Sequence, residues 1–352
     1  MGRNRYQIFE KTGDGKDAGC KAPMDVAKFA EEEGFTSLKA FKWGEKRNIW
    51  ERITGQIGRF LEYLFFFARI QTGSILLLQF PFVRGGRPWR KLFLESITKI
   101  KKVHIVTLIH DLNELRNIDT KYQAMLVRYS IGLSSVIIVH NEHMAKYLEE
   151  NGIPREKMLC LEVFDYASAN SPSSNFNFER SLTIAGNLAS SKCGYLSQID
   201  KLKSISINLF GTNYHGIQND HIKYHGGFSP DGLPTMINTG FGLVWDGDSI
   251  DTCEGSFGTY LKYNNPHKFS LYIAAGIPVV AWRESALAEF IEKNRVGLLV
   301  SSLQEAEKKI MEMADDEYAH LKLNVSVLAE KIRSGFFTKR ALEEACEKIQ
   351  NI

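Results

Sequence analysis

The chain has 352 residues, enough for about two domains. Its 44% hydrophobic and 24% charged residues describe ordinary globular chemistry and exclude disordered, collagen-like and coiled-coil chains. With 44 Lys and Arg against 41 Asp and Glu, the net charge of +3 points to no nucleic-acid partner.

The first half alternates strand and helix patterns. Tyr6–Phe9 reads as a strand, and the glycine-rich turn 13–19 follows it. Met24–Glu33 reads as a helix, with Val26, Phe29 and Ala30 at helical spacing. Leu38–Phe41 reads as a strand and Asn48–Ile70 as a long helix. Ile75–Phe80 is a continuous apolar run, as expected of a strand buried on both faces. Trp89–Ile100 is helical, His104–Ile109 a strand, Tyr122–Leu133 helical and Val136–Val139 a strand. Glu142–Asn151 is a helix ending at Gly152, and Met158–Leu161 is a strand. The polar stretch Tyr166–Asn177 reads as a linker.

Beyond it the rhythm restarts. Strands are expected at Ser181–Ile184, Ile205–Phe210, Ile222–Tyr224, Gly242–Trp245, Pro278–Trp282 and Gly297–Val300. Helices are expected at Leu233–Asn238, His267–Ala275 and Ser285–Asn294, with further helices after them. Such alternation predicts an α/β chain of two doubly wound parallel sheets, with a binding cleft between the halves.

The glycine turn Gly13-x-Gly15-x-x-x-Gly19 approaches a dinucleotide fingerprint, but the second strand ends in Lys42 with no ribose-binding acid. Gly15 is better placed as part of a lip over the cleft. The strand-end groups of the second half carry more. Gly186-Asn187 is followed by Ser190 and Lys192, and hydroxyl, amide and ammonium groups there can reach phosphate oxygens. In Asn265-Pro266-His267-Lys268, Asn265 is expected to N-cap a helix that has Pro266 at its first position. Lys268 then sits in the first turn, where a cation opposes the helix dipole unless an anion is present. In the first half, strand His104–Ile109 runs into His110-Asp111-Leu112-Asn113-Glu114. Asp111 is the first candidate for a base, with His110 and Glu114 behind it; a helix-capping role for Asp111 is the alternative.

Three patterns are read as decoys. Asp246-Gly247-Asp248 resembles a metal-binding DxD, Glu284 and Glu292 have a Glu-x7-Glu spacing, and His215, His221 and His225 suggest zinc without a fourth ligand. The five scattered cysteines form no CxxC pair and suit a reducing cytoplasm. The apolar run 75–83 is too short to span a bilayer. The basic and aromatic stretch 84–91 suits either an anionic acceptor near a membrane or a solvated helix start.

Gly186-Asn187-Leu188, Gly211, Tyr224-x-Gly226, 240–245, Lys268, 274–279 and Gly335-Phe336-Phe337 with Arg340 appear in this order. Together they resemble a group of bacterial GT-B glycosyltransferases that includes β-1,6-galactofuranosyltransferases and the third glucosyltransferase of streptococcal adhesin glycosylation. The resemblance implies a GT-B fold of two Rossmann-like domains: 1–166 for the acceptor, 167–332 for the nucleotide sugar, and 333–352 as a helix crossing back. It implies UDP as the nucleotide, with no bound cofactor and no obligatory metal. By the resemblance, Ser190, Tyr224 and Lys268 match donor-site positions. Tyr224 is set at the nucleoside and Lys268 at the diphosphate, with Gly226 and Asp246 beside them and Glu289 at the ribose. Lys192 stands in at the phosphate, because the related glucosyltransferase has Arg where this chain has Ser190.

The expectation is an inverting transfer of a hexose (galactofuranosyl, glucosyl or galactosyl) from a UDP-sugar to a glycan or lipid-linked oligosaccharide. It is placed in the cytoplasm, with contact to the inner face of the membrane and a homo-oligomer left open. The rivals are a non-catalytic GT-B-like subunit binding a glycan or a partner transferase, and a nucleotide-sugar epimerase.

Overall fold

The continuous apolar runs become the middle strands of two parallel sheets. The structure is a computed structural model that describes residues 3–10, 18–40, 49–81, 87–116, 125, 129–168 and 178–351. The first sheet holds β1 (Arg5–Glu10), β2 (Thr36–Ala40), β3 (Ile75–Phe80), β4 (His104–Ile109), β5 (Val136–Val139) and β6 (Met158–Cys160), in the order β2-β1-β3-β4-β5-β6. Helices α1 (Ala18–Glu32), α2 (Ile49–Arg69), α3 (Arg87–Lys99) and α4 (Glu142–Glu150) connect and cover it. The second holds β7 (Ser181–Asn187), β8 (Ser206–Thr212), β9 (Ile222–Tyr224), β10 (Phe241–Val244), β11 (Val279–Trp282) and β12 (Gly297–Val300), in the order β12-β11-β10-β7-β8-β9. Its helices are α5 (Leu233–Met236), α6 (Gly255–Tyr260), α7 (His267–Ala274), α8 (Ala288–Asn294), α9 (Leu303–Glu312), α10 (Asp315–Ser334) and α11 (Phe336–Gln350).

The fold is GT-B, two doubly wound halves, as expected. Two elements depart from the sequence reading. Helix α1 starts at Ala18 rather than Met24 and carries Pro23 inside. Helix α6 was not anticipated, because Gly255 and Gly258 mask its start. Of the expected helix 122–133, residues 125 and 129–132 are helical, and 122–124 and 126–128 lie outside the described residues.

The halves share apolar packing. One cluster runs from Leu77 and Val106 of the first sheet through Phe164 and Tyr166 to Phe269 and Ile273 of α7. The expected linker therefore begins inside the core. Tyr166 is buried, its N–H donates to Ile332 O at 3.0 Å and its hydroxyl to Pro230 O at 2.5 Å. Residues 169–177 of that segment lie outside the described residues.

Helix α11 returns to the first half. It packs on α1, β5 and β6. Asp165 accepts from the N–H groups of Phe337 at 3.3 Å and Thr338 at 2.6 Å, an anion on the helix N-terminus. Burial lifts the Asp165 carboxyl to about 7 despite these donors. The turn between α10 and α11 needs Gly335: its φ is +80°, and a Cβ would stand 2.3 Å from the Phe29 ring of α1.

Candidate active site

Each sheet reverses its strand order at one point, between β1 and β3 in the first and between β7 and β10 in the second. Loops leaving the carboxyl ends of such strands diverge and open a crevice. In the second sheet these ends carry Gly186-Asn187 and Asp246. Lys268, in the first turn of α7, reaches the same place. Its Nζ donates to Asp246 Oδ1 at 2.7 Å and to Trp245 O at 3.3 Å. Lys192 Nζ lies 3.8 Å from Asp246 Oδ2. Gly247 N–H donates to Lys192 O at 3.0 Å, which ties the turn after β7 to the end of β10.

The anion that the Lys268 position requires is therefore present, and it is Asp246. Burial pushes the Lys268 ammonium toward losing its proton, but the adjacent Asp246 carboxylate wins and holds its pKa above the lysine range. Two ammonium groups share one carboxylate, so this crevice keeps a net positive charge suited to phosphate oxygens. Lys268 is 10% exposed and Lys192 25%, so Lys192 is the more accessible cation.

The floor depends on a close backbone approach. A Cβ on Gly211 would stand 1.8 Å from Gly186 O, so no larger residue fits there. A Cβ on Gly186 would meet Lys268 Cε at 3.8 Å, which places that strand end under the lysine. Tyr224 and Gly226 brace this turn: Tyr224 Oη donates to Gly211 O and Gly211 N–H donates to Gly226 O, each at 2.8 Å. Asn187 Oδ1 accepts from Ala189 N–H at 3.1 Å and from Asn213 Nδ2 at 2.9 Å. Ser190 is exposed in the turn after β7, and Glu289 is exposed in the first turn of α8.

Asn265 corrects its expected role. The N-cap of α7 is Pro266, with no side-chain cap. Asn265 instead joins the halves: its N–H donates to His140 Nδ1 at 3.0 Å, and its Oδ1 accepts from Asn141 Nδ2 at 2.7 Å. Its Nδ2 donates to Glu162 O and to His140 O. Pro266 adopts extended backbone, φ −63° and ψ 137°, so the helix begins one residue later than the proline rule suggests. His140 Nε2 bonds Ile109 O at 3.0 Å, which fixes the ring as the neutral Nε2–H tautomer.

The first half contributes Asp111 at the carboxyl end of β4. Its Oδ2 lies 3.1 Å from Arg116 Nη1, and its Oδ1 accepts from Tyr260 Oη at 3.4 Å. Tyr260 belongs to α6 of the other half and accepts from Leu112 N–H at 2.9 Å. Burial raises the Asp111 carboxyl; Arg116, then Lys192, pull it back. The charge of Lys192 thus acts on Asp111 across the cleft. The Asp111 side chain remains 32% exposed, and no capping bond from it is seen among the described residues.

His110 is differently placed. Its ring stacks on Phe164 at 5.2 Å, its Nε2 bonds Gln79 Oε1 at 2.7 Å, and burial drives its pKa down to about 3. Glu114 Oε1 accepts from Tyr147 Oη at 3.1 Å. Gly15 lies outside the described residues. The sequence reading missed Tyr260 and Arg116. Tyr260 lies 149 positions from Asp111, and no local signal links them.

Residues 5–163 match the family model of the glucosyltransferase 3-like N-terminal domain, and residues 182–345 match that of the C-terminal domain. The chain belongs to the glucosyltransferase 3-like family. It is 32% identical over 343 residues to β-1,6-galactofuranosyltransferase WbbI of Escherichia coli K12, covering 95% of this chain and 96% of the relative. It is 25% identical over 336 residues to glucosyltransferase 3 of Streptococcus gordonii, covering 95% and 96%. Among solved structures, Anabaena HepE in complex with UDP and glucose matches with a TM-score of 0.62 at 11% identity, covering 97% of this chain and 99% of that one. The lipopolysaccharide outer core galactosyltransferase WaaB matches at 0.56 and 8%, covering 97% and 98%. This glucosyltransferase 3-like chain is a glycosyltransferase.

Asp246 of the DxD is held by two lysines, and Glu284 pairs with Lys262 at 2.8 Å. His225 stacks on Phe210 at 4.5 Å. No helix among the described residues is long and apolar enough to cross a membrane.

Proposed function

We propose that this glucosyltransferase 3-like enzyme moves a hexosyl group, galactofuranosyl, glucosyl or galactosyl, from a UDP-sugar to a hydroxyl of a glycan acceptor, with inversion and without a metal. One observation carries this reading: a net-positive crevice at the β7/β10 switch point stands opposite a carboxylate on the other half. The UDP-bound HepE structure and the galactofuranosyltransferase relative supply the chemical class.

In this reading Lys192 and Lys268 meet the diphosphate and share their charge between it and Asp246. The acceptor oxygen attacks the anomeric carbon as its proton passes to Asp111. The carbon–oxygen bond to the β-phosphate breaks, and the lysines and the α7 N-terminus hold the charge that UDP carries away. A carboxylate in a partly buried site, with its pKa raised by that burial, suits an acceptor hydroxyl. His110 is a poorer base, since its depressed pKa makes the imidazole reluctant to take a proton. Donor charge is balanced by ammonium groups, which is the basis for expecting metal independence.

Calorimetric titration with UDP, with and without EDTA, tests the donor half. Micromolar binding that survives EDTA supports the reading. Absence of binding to folded protein refutes it.

A further inference from the structure

Helix α2 turns an apolar face outward. Its inner side packs on α3: Phe66 is buried, and Tyr63 stacks on Phe93 at 5.1 Å. Its outer side carries Trp50, Ile53, Ile57, Leu61 and Leu64, exposed by 74, 45, 53, 54 and 52%. Thr54 and Ala68 continue the same arc, and no charged residue interrupts it. At 1.5 Å rise per residue the stripe is about 21 Å long. Exposed apolar side chains on a water-facing surface are normally scattered, whereas a continuous stripe marks a contact.

The neighbouring helix supplies the charge. Lys91 and Lys99 are 62% and 73% exposed, lie 4.0 and 3.7 Å from the single carboxylate of Glu95, and sit next to Leu92 and Ile100 at 52% and 68%. The segment 84–102 holds seven Lys and Arg against one Glu. Trp89 Nε1 donates to Gln56 Oε1 at 3.1 Å and the Trp89 ring lies 4.9 Å from Phe60, which sets the basic helix against the apolar one.

We propose that α2 and α3 seat the enzyme on an anionic lipid bilayer, with α2 in the plane of the interface. Charge selects this occupant. A two-fold copy would set the basic segment beside its own image. An apolar protein partner would leave uncompensated the positive charge that the one Glu95 carboxylate does not balance. Anionic headgroups meet the lysines while the acyl boundary takes the stripe. Helix α2 follows β2, the edge strand of the first sheet, so the seated face belongs to the half that the proposed function gives to the acceptor. The inference rests on the proposed transfer only for its purpose, bringing a lipid-borne acceptor to the crevice; the contact itself rests on the stripe and the lysines.

The test is flotation of the full chain with vesicles of phosphatidylcholine alone or of equal parts phosphatidylcholine and phosphatidylglycerol. The chain should float with the anionic vesicles, and Ile57→Gln/Leu61→Gln should lower partitioning roughly tenfold, since both side chains lose apolar burial. Lys91→Glu/Lys99→Glu should remove the preference for anionic over neutral vesicles. All four positions are exposed, so circular dichroism should show unchanged folding. A UDP titration alongside reports on the donor reading separately. No flotation, equal flotation of the glutamine variant, or a solution dimer that this variant dissociates would each overturn the proposal.

Discussion

The two sides of the cleft are built differently. On the side proposed for the donor, Lys192, Asp246 and Lys268 come from one half of the chain and satisfy one another around two backbone turns. On the side proposed for the acceptor, Asp111 is held partly by its own half, through Arg116, and partly by Tyr260 from the other half. The donor crevice can therefore be complete within one sheet. The acceptor carboxylate takes its setting from how the halves meet, and Asn265 with His140 and Asn141 anchors the same junction.

Variants that act on one side alone test this division. The largest effect is expected from Asp111→Asn, which should lower kcat roughly 10³-fold, the size of a general-base contribution. UDP affinity measured by calorimetry should not change. Near-normal turnover would retire Asp111 as the base. The next largest falls on the donor side. Lys268→Ala should weaken UDP binding at least ~tenfold, as loss of a charge-assisted contact implies. It should also cost about 2 kcal/mol in denaturant melts, because the Asp246 carboxylate is left with the more distant Lys192. Lys192→Ala should weaken UDP to a similar degree with little loss of stability, given its greater exposure. Equal destabilisation by both lysine variants would show that the two cations are not divided between structure and ligand.

The same division explains what the sequence revealed. Strand runs such as Ile75–Phe80 and His104–Ile109 are buried on both faces, so their composition announces them and their ends mark the site. Gly186, Lys192, Asp246 and Lys268 follow strand ends or open a helix, where local pattern is informative. Tyr260 lies in a glycine-containing helix that local propensity does not favour, and its partner is set by packing between halves. Asn265 had a local reading as a cap, and tertiary bonding to His140 overrode it. The stretch Tyr166–Asn177 reads as polar, yet Tyr166 and Ala167 are buried: Tyr166 bonds Ile332 of α10 and Pro230, and Ala167 bonds Asp25 and Lys21 of α1.

A smaller effect sharpens the electrostatic side of the comparison. Burial lifts the Asp111 carboxyl and Arg116 opposes that lift. A base works deprotonated, so kcat/KM should rise with pH through this pKa. Arg116→Gln removes the stabilising cation, moves the pKa further up, and should shift the acid limb of the kcat/KM profile to higher pH. A shift to lower pH, or none, would mean that another group titrates in that limb.

The smallest expected effect bears on the junction itself. Tyr260 Oη donates weakly to Asp111 at 3.4 Å but accepts from the buried Leu112 N–H at 2.9 Å. Tyr260→Phe keeps the ring, over which Arg116 lies at 5.1 Å, and removes only the hydroxyl. The stranded amide should cost about 1 kcal/mol of stability. The long bond to Asp111 should contribute only a few-fold to kcat, by the steep weakening of hydrogen bonds with distance. UDP affinity should stay constant, because no donor-side group touches this hydroxyl among the described residues. A drop in kcat as large as that of Asp111→Asn would instead make the junction, rather than the carboxylate alone, the acceptor-side machinery.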